Sequence, residues 1–109
     1  MQALHPTELV EFLSQHPDAV LLDVREPWEV AQASIALQGV EMRAVPMNQI
    51  PREMQQWPQN QTTVCICHHG VRSAQVGHYL EASGWSDVVN LSGGIDAWSI
   101  LVDSSVPRY

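Results

Sequence analysis

Thr62-Thr63-Val64-Cys65-Ile66-Cys67-His68-His69-Gly70-Val71-Arg72-Ser73 is the stretch that decides the fold. Residues 62–67 are β-branched or apolar and bounded by polar residues, which predicts a buried strand. His68 to Val71 is a short loop containing Gly70. Arg72 to Ser83 follows as a helix, with Ala74, Val76, Tyr79 and Leu80 available for packing and Gly84 closing it. Working outward, Ala19 to Val24 is a continuous apolar run broken only by Asp23. It reads as a strand buried on both faces, as in parallel sheets. Glu26-Pro27 then starts a short helix through about Gln32. Asp87 to Leu91 is a third strand. Ser92-Gly93-Gly94 turns into a last helix from Ile95 to about Leu101. Near the start, Pro6 suits a first helical turn, Leu9, Val10 and Leu13 recur at helical spacing, and His16-Pro17-Asp18 ends the run. Residues 33–61 are the least legible; they suggest a short strand near Glu41 to Pro46 and a short helix or turn up to Trp57. Strands alternating with helices predict an α/β fold, a parallel sheet covered on both faces.

The chain has 109 residues and 12.2 kDa, enough for one domain spanning 1–109. Its formal charge is −7, from twelve acids against five bases, and all five bases are arginine. This balance argues against nucleic acid and anionic membrane partners, which need basic surface. No run reaches the eighteen or so apolar residues of a membrane span, and the N-terminus lacks a signal-peptide pattern, so the expected location is cytoplasmic. The two cysteines, Cys65 and Cys67, stand one residue apart. A secreted disulfide scaffold would space them to join distant loops. Alternation along a strand puts both thiols on one face, at a separation poor for a disulfide.

Cys67 lies at the carboxyl end of a buried strand, where open α/β sheets bind ligands. The glycine-containing loop and the helix behind it point backbone N–H groups inward, an anion cradle reinforced by the helix N-terminus. Positive potential of this kind favours a thiolate. A thiolate in an anion cradle is suited to nucleophilic attack on an anionic substrate. Cys65 reads as a packed core thiol. Cys65, Cys67, His68 and His69 lack the second, separated ligand pair of a zinc site, and His78 stands alone, so no metal or organic cofactor is expected. His68 and His69 read as solvent-facing loop residues whose backbones matter. The Arg72 guanidinium is placed to bind an oxyanion of the substrate bidentately. Asp23, at the end of a buried strand, needs a partner, and Asp23 with Arg25 reads as scaffold. Arg108-Tyr109 reads as a surface end.

The chain resembles single-domain rhodaneses, a sulfurtransferase family. Leu21-Leu22-Asp23-Val24-Arg25-Glu26-Pro27-Trp28-Glu29 resembles the family's Asp-x-Arg-x-x-x-Glu segment. Cys67 to Ser73 resembles its active-site loop. Asn90-Leu91-Ser92-Gly93-Gly94-Ile95-Asp96-Ala97-Trp98 resembles its Gly-Gly-x-x-x-Trp closing helix. The resemblance implies a five-stranded parallel sheet with helices on both sides. It implies transfer of sulfane sulfur from thiosulfate or a persulfide donor to a thiol, cyanide or protein acceptor, through a persulfide on Cys67. The backbone N–H groups of His68, His69, Gly70, Val71, Arg72 and Ser73 would hold the sulfur's charge. An alternative within the same resemblance is a sulfur-carrier or regulatory module with little thiosulfate turnover. Four residues separate Cys67 from Arg72, whereas cysteine-dependent phosphatases place five there. The smaller ring suits one sulfur atom better than a tetrahedral phosphate. The chain departs from the family after Glu29, where Ala33-Ser34 replaces the usual Gly-His; that bears on turn geometry more than on chemistry.

Overall fold

The computed structural model describes residues 1–109. Five parallel strands form one sheet: β1 (Gln2–Leu4), β2 (Val20–Asp23), β3 (Glu41–Ala44), β4 (Thr63–Ile66) and β5 (Val88–Leu91). Their spatial order is β1-β5-β4-β2-β3. The chain builds outward from β2 to β3, then returns past β2 to place β4 and β5. The direction of winding therefore reverses between β2 and β4, and the crevice beyond their carboxyl ends is the natural ligand position. Cys67 follows β4 and Asp23 ends β2, so both stand at that crevice.

Strands β2, β4 and β5 are buried at every residue. Their alternating side chains fill two cores. Leu21, Val64, Ile66, Val89 and Leu91 face Leu9, Leu13, Ile95 and Trp98. These come from α1 (Leu9–Gln15) and α5 (Gly94–Leu101). On the other face Leu22, Cys65, Cys67 and Val88 meet Ile50, Met54, Val76, Leu80 and Trp85. Here the cover comes from α3 (Ile50–Glu53), the 3-10 turn after it, and α4 (Val71–Ala82). The fully buried Leu and Ile side chains each contribute roughly 1.5–3 kcal/mol relative to exposure. Trp98, 2% exposed, is the largest side chain of the first core.

Of the edge strands, β3 falls within the stretch expected near Glu41 to Pro46, whereas β1 is not among the expected strands. β1 has only Leu4 buried, so its three residues carry no readable pattern. β3 is half-exposed, as an edge strand with charged residues can be. The short helix after β2 is α2 (Pro27–Gln32), with Pro27 at its first position. Past α2, Ala33 adopts an ordinary extended conformation and Ser34 donates from Oγ to Val30 O at 2.7 Å. The turn therefore tolerates the loss of the family's Gly-His. No helix is long and apolar enough to cross a membrane.

Candidate active site

The loop between β4 and α4 closes around the Cys67 sulfur. Gly70 N–H donates to Sγ at 3.0 Å and Ser73 N–H at 3.3 Å. Gly70 makes the tight turn possible through φ 98°, a conformation that L side chains avoid. It also starts α4 one residue earlier than expected, at Val71. The N-cap Gly70 and the first-turn residue Ser73 of a twelve-residue helix thus turn N–H groups that the helix leaves free toward the sulfur.

Ser73 carries a second contact. Its Oγ lies 3.2 Å from Sγ and donates to Asn90 Oδ1 at 2.6 Å. Asn90 Nδ2 in turn donates to Gly70 O at 3.0 Å. A hydroxyl has one proton and two lone pairs. With that proton on Asn90, Oγ can accept from a Cys67 thiol; turned to sulfur, it donates to a thiolate. Asn90 therefore sets the hydroxyl and ties the loop to β5. The sequence reading missed it, although a buried amide in the apolar run Val88 to Leu91 required a partner.

The loop's outward carbonyls are held by α5. Ile95 N–H donates to Cys67 O at 2.9 Å and Asp96 N–H to His68 O at 3.1 Å. Gly94, at φ 62°, lies against those carbonyls so closely that a Cβ would collide with both. This is the physical need behind Gly93-Gly94.

Asp23 and Arg25 form a buried pair, with Nη2 to Oδ2 at 2.7 Å and side-chain exposures of 0% and 2% for arginine and aspartate. Arg25 also donates to Ala33 O at 2.7 Å, Glu29 O at 3.2 Å and Tyr109 Oη at 2.9 Å. The scaffold reading thus gains specific targets: this one guanidinium holds the carbonyls of Glu29, midway along α2, and of Ala33, just past its end. That placement sets Glu29, whose carboxylate takes Arg72 bidentately at 2.7 and 2.8 Å. The bidentate face of Arg72 expected for a substrate oxyanion is therefore occupied by Glu29. The Arg72 guanidinium, helped by a backbone N–H from Glu26 and the Tyr109 hydroxyl, holds the Glu29 carboxyl down at about 2.

Two other expectations change. Tyr109 is not a free surface end. Its hydroxyl donates to Glu29 Oε2 at 2.8 Å, and its ring stacks on His68 with centroids 3.9 Å apart. Arg108 anchors the same tail to Asp96 at 2.8 Å. His68 is consequently half-buried between Tyr109 and His69, not solvent-facing, while His69 is exposed. Burial, then the neighbouring His69, lowers the His68 imidazole, which favours its neutral form. Cys65 is fully buried, and burial pushes its thiol up to about 12. The largest surface concavity, about 370 Å³, lies between α1 and residues 37–40, away from Cys67. Cys67 itself is 1% exposed, and its surroundings are backbone N–H groups around one sulfur atom.

A family model described as Rhodanese-like domain matches residues 5–101. The chain belongs to the rhodanese-like family. A protein of Allochromatium vinosum named sulfurtransferase is 40% identical over 93 residues, covering 84% of this chain and 81% of that one. A chloroplastic Arabidopsis thaliana protein, named for rhodanese-like and PpiC domains, is 35% identical over 96 residues. That match covers 84% of this chain but only 31% of the longer protein. The crystal structure of a rhodanese-like domain protein from Staphylococcus aureus superposes with a TM-score of 0.80 at 32% identity. It covers 100% of this chain and 99% of that one. The rhodanese-like assignment agrees with the five-stranded parallel sheet, and relatives named sulfurtransferase support sulfur transfer in general as the activity.

Proposed function

We propose that this chain moves sulfane sulfur from a donor to a thiophilic acceptor through a persulfide on Cys67. The observation that carries the reading is the Cys67 sulfur inside its loop, with Gly70 N–H, Ser73 N–H and the Ser73 hydroxyl all within 3.3 Å. Donors converging on one sulfur stabilise negative charge there without a cation. The Cys67 thiolate attacks the outer sulfur of the donor. A bond forms between Sγ and that sulfur as the donor's own bond to it breaks, and the leaving group departs with the electron pair. An acceptor thiolate, or cyanide in an assay, then attacks the outer sulfur and returns Cys67 as thiolate. The loop N–H groups of His68, His69, Gly70, Val71, Arg72 and Ser73 serve the charge of the extended persulfide. The chemistry calls for no metal or organic cofactor.

The test follows thiocyanate formation from thiosulfate or an organic persulfide with cyanide, and weighs the intact protein for added sulfur. The reading expects a mass gain of one sulfur atom on Cys67 and turnover that is lost in Cys67→Ser. A stable mass gain with negligible thiocyanate identifies a sulfur carrier instead of an enzyme. If no sulfane donor adds sulfur to Cys67, both readings fail.

A further inference from the structure

We infer that Glu29 determines which sulfur donors the Cys67 loop accepts, by withholding the Arg72 guanidinium from an anionic leaving group, so that organic persulfides are preferred over thiosulfate. This rests on the sulfur transfer proposed above. All five arginines of the chain already lie against carboxylates. Arg25 meets Asp23 at 2.7 Å, Arg43 meets Glu41 at 2.7 Å, and Arg52 meets Glu53 at 3.5 Å. Arg72 meets Glu29 at 2.7 Å and Arg108 meets Asp96 at 2.8 Å. There is no lysine. At the loop, His69 lies 3.9 Å from Asp96, and His68 is shifted toward its neutral form.

Arg72 stands in the first turn of α4, directly after the loop, and Glu29 is built to hold it. The Glu29 side chain is 5% exposed and fixed by two further donors, Glu26 N–H at 3.1 Å and the Tyr109 hydroxyl at 2.8 Å. Its low carboxyl titration keeps it ionised throughout the working range. Thiosulfate is a dianion whose sulfite leaving group carries charge on oxygens. Those oxygens would approach a chain of charge −7 with no unpaired arginine to meet them. An organic persulfide makes a smaller demand. In R–S–SH, the Cys67 thiolate bonds to the outer sulfur, the S–S bond breaks, and the electron pair leaves on R–S⁻, which takes its proton from water. Cys67–S–SH remains, and no oxyanion needs neutralising.

The test compares thiosulfate with 2-hydroxyethyl persulfide, which has no charged group besides its sulfurs, in wild type and Glu29→Gln. Glutamine keeps an oxygen for Arg72 and for Glu26 N–H but removes the charge that neutralises the guanidinium. The wild type is expected to give a kcat/KM for the persulfide at least about tenfold above that for thiosulfate, the scale of one uncompensated charge at this range. In E29Q the ratio of thiosulfate to persulfide kcat/KM should rise roughly tenfold, mostly through a lower KM for thiosulfate. The gain should vanish in Glu29→Gln with Arg72→Gln, which ties it to the guanidinium. An unchanged ratio in folded E29Q overturns the inference. So does a wild type that uses thiosulfate as well as the persulfide, a measurement that needs no variant. Failure of the sulfur-transfer reading looks different: neither donor adds sulfur to Cys67 in either protein.

Discussion

Asp23→Asn is the substitution whose effect the structure defines most fully. The Asp23 carboxylate accepts Arg25 Nε at 2.9 Å, Nη2 at 2.7 Å and the Arg25 backbone N–H at 3.1 Å. Neither side chain is more than 2% exposed. Asparagine preserves the shape, removes the charge, and turns an N–H₂ toward a guanidinium that can only donate. Breaking a buried pair from one side destabilises by about 3–5 kcal/mol, because the remaining charge stays buried. For 109 residues, an unfolding entropy of about 2.1 cal/mol/K per residue turns that into a fall in Tm of roughly 13–22 °C. Urea unfolding followed by circular dichroism measures it, with an unchanged slope confirming that the transition remains two-state. Asp23→Ala combined with Arg25→Met should recover part of the loss, since an apolar replacement leaves no unpaired charge. Recovery stays incomplete because Ala33 O and Glu29 O lose their donor. A loss below about 1 kcal/mol for D23N, within the range of an exposed pair, would refute the view that this pair anchors α2 beneath the loop.

Two further outcomes follow from the same geometry. Glu29 titrates at about 2 against an ordinary 4.5, so its ionised form stabilises the fold above the ordinary value, and that contribution is lost as pH falls from there through about 2. The loss amounts to at most about 3 kcal/mol; urea midpoints at pH 5 and pH 2.5 should differ more in wild type than in E29Q, and equal differences would contradict the assignment. Gly94→Ala forces a Cβ onto the Cys67 and His68 carbonyls at a left-handed φ. It should destabilise by about 2–5 kcal/mol and raise the rate of Cys67 alkylation by iodoacetamide; a variant as stable and as slow to react as wild type would show that the loop does not depend on this contact.

The parts of the molecule legible in the sequence are those where local pattern and burial coincide. Strands β2, β4 and β5 are buried on both faces, so their continuous apolar runs announce them. β1 and β3 lie at the sheet edges, one three residues long and the other charged and half-exposed, and only an approximate β3 could be read. Cys67, Gly70 and Ser73 are neighbours in sequence, and the loop that unites them follows from a strand meeting a helix. Glu29 and Arg72 stand 43 residues apart, and Arg25 and Tyr109 stand 84 apart. No spacing rule connects such polar partners; topology alone brings them together. Arg108-Tyr109 reads as a surface end for the same reason. Its aromatic ring is useful only because α2 and the loop happen to converge where the chain returns.

With every arginine paired to a carboxylate, the thiolate proposed at Cys67 would rely on the backbone donors of its loop. A lysine or free arginine beside Cys67 would favour the thiolate, but a sulfur stabilised strongly by charge is also a weaker nucleophile. Backbone N–H groups act on the reacting atoms at hydrogen-bond range and fade quickly beyond it. They can hold one sulfur, or two in a persulfide, while adding almost nothing to the field outside the loop. The outer surface then keeps the acidity of the composition. A small dianion meets repulsion on approach, whereas a basic protein surface carrying a persulfide would be drawn in. On the proposed reading, that attraction, screened within about 8–10 Å at physiological salt, would act only on a docked partner and would leave the chemistry at Cys67 to the loop.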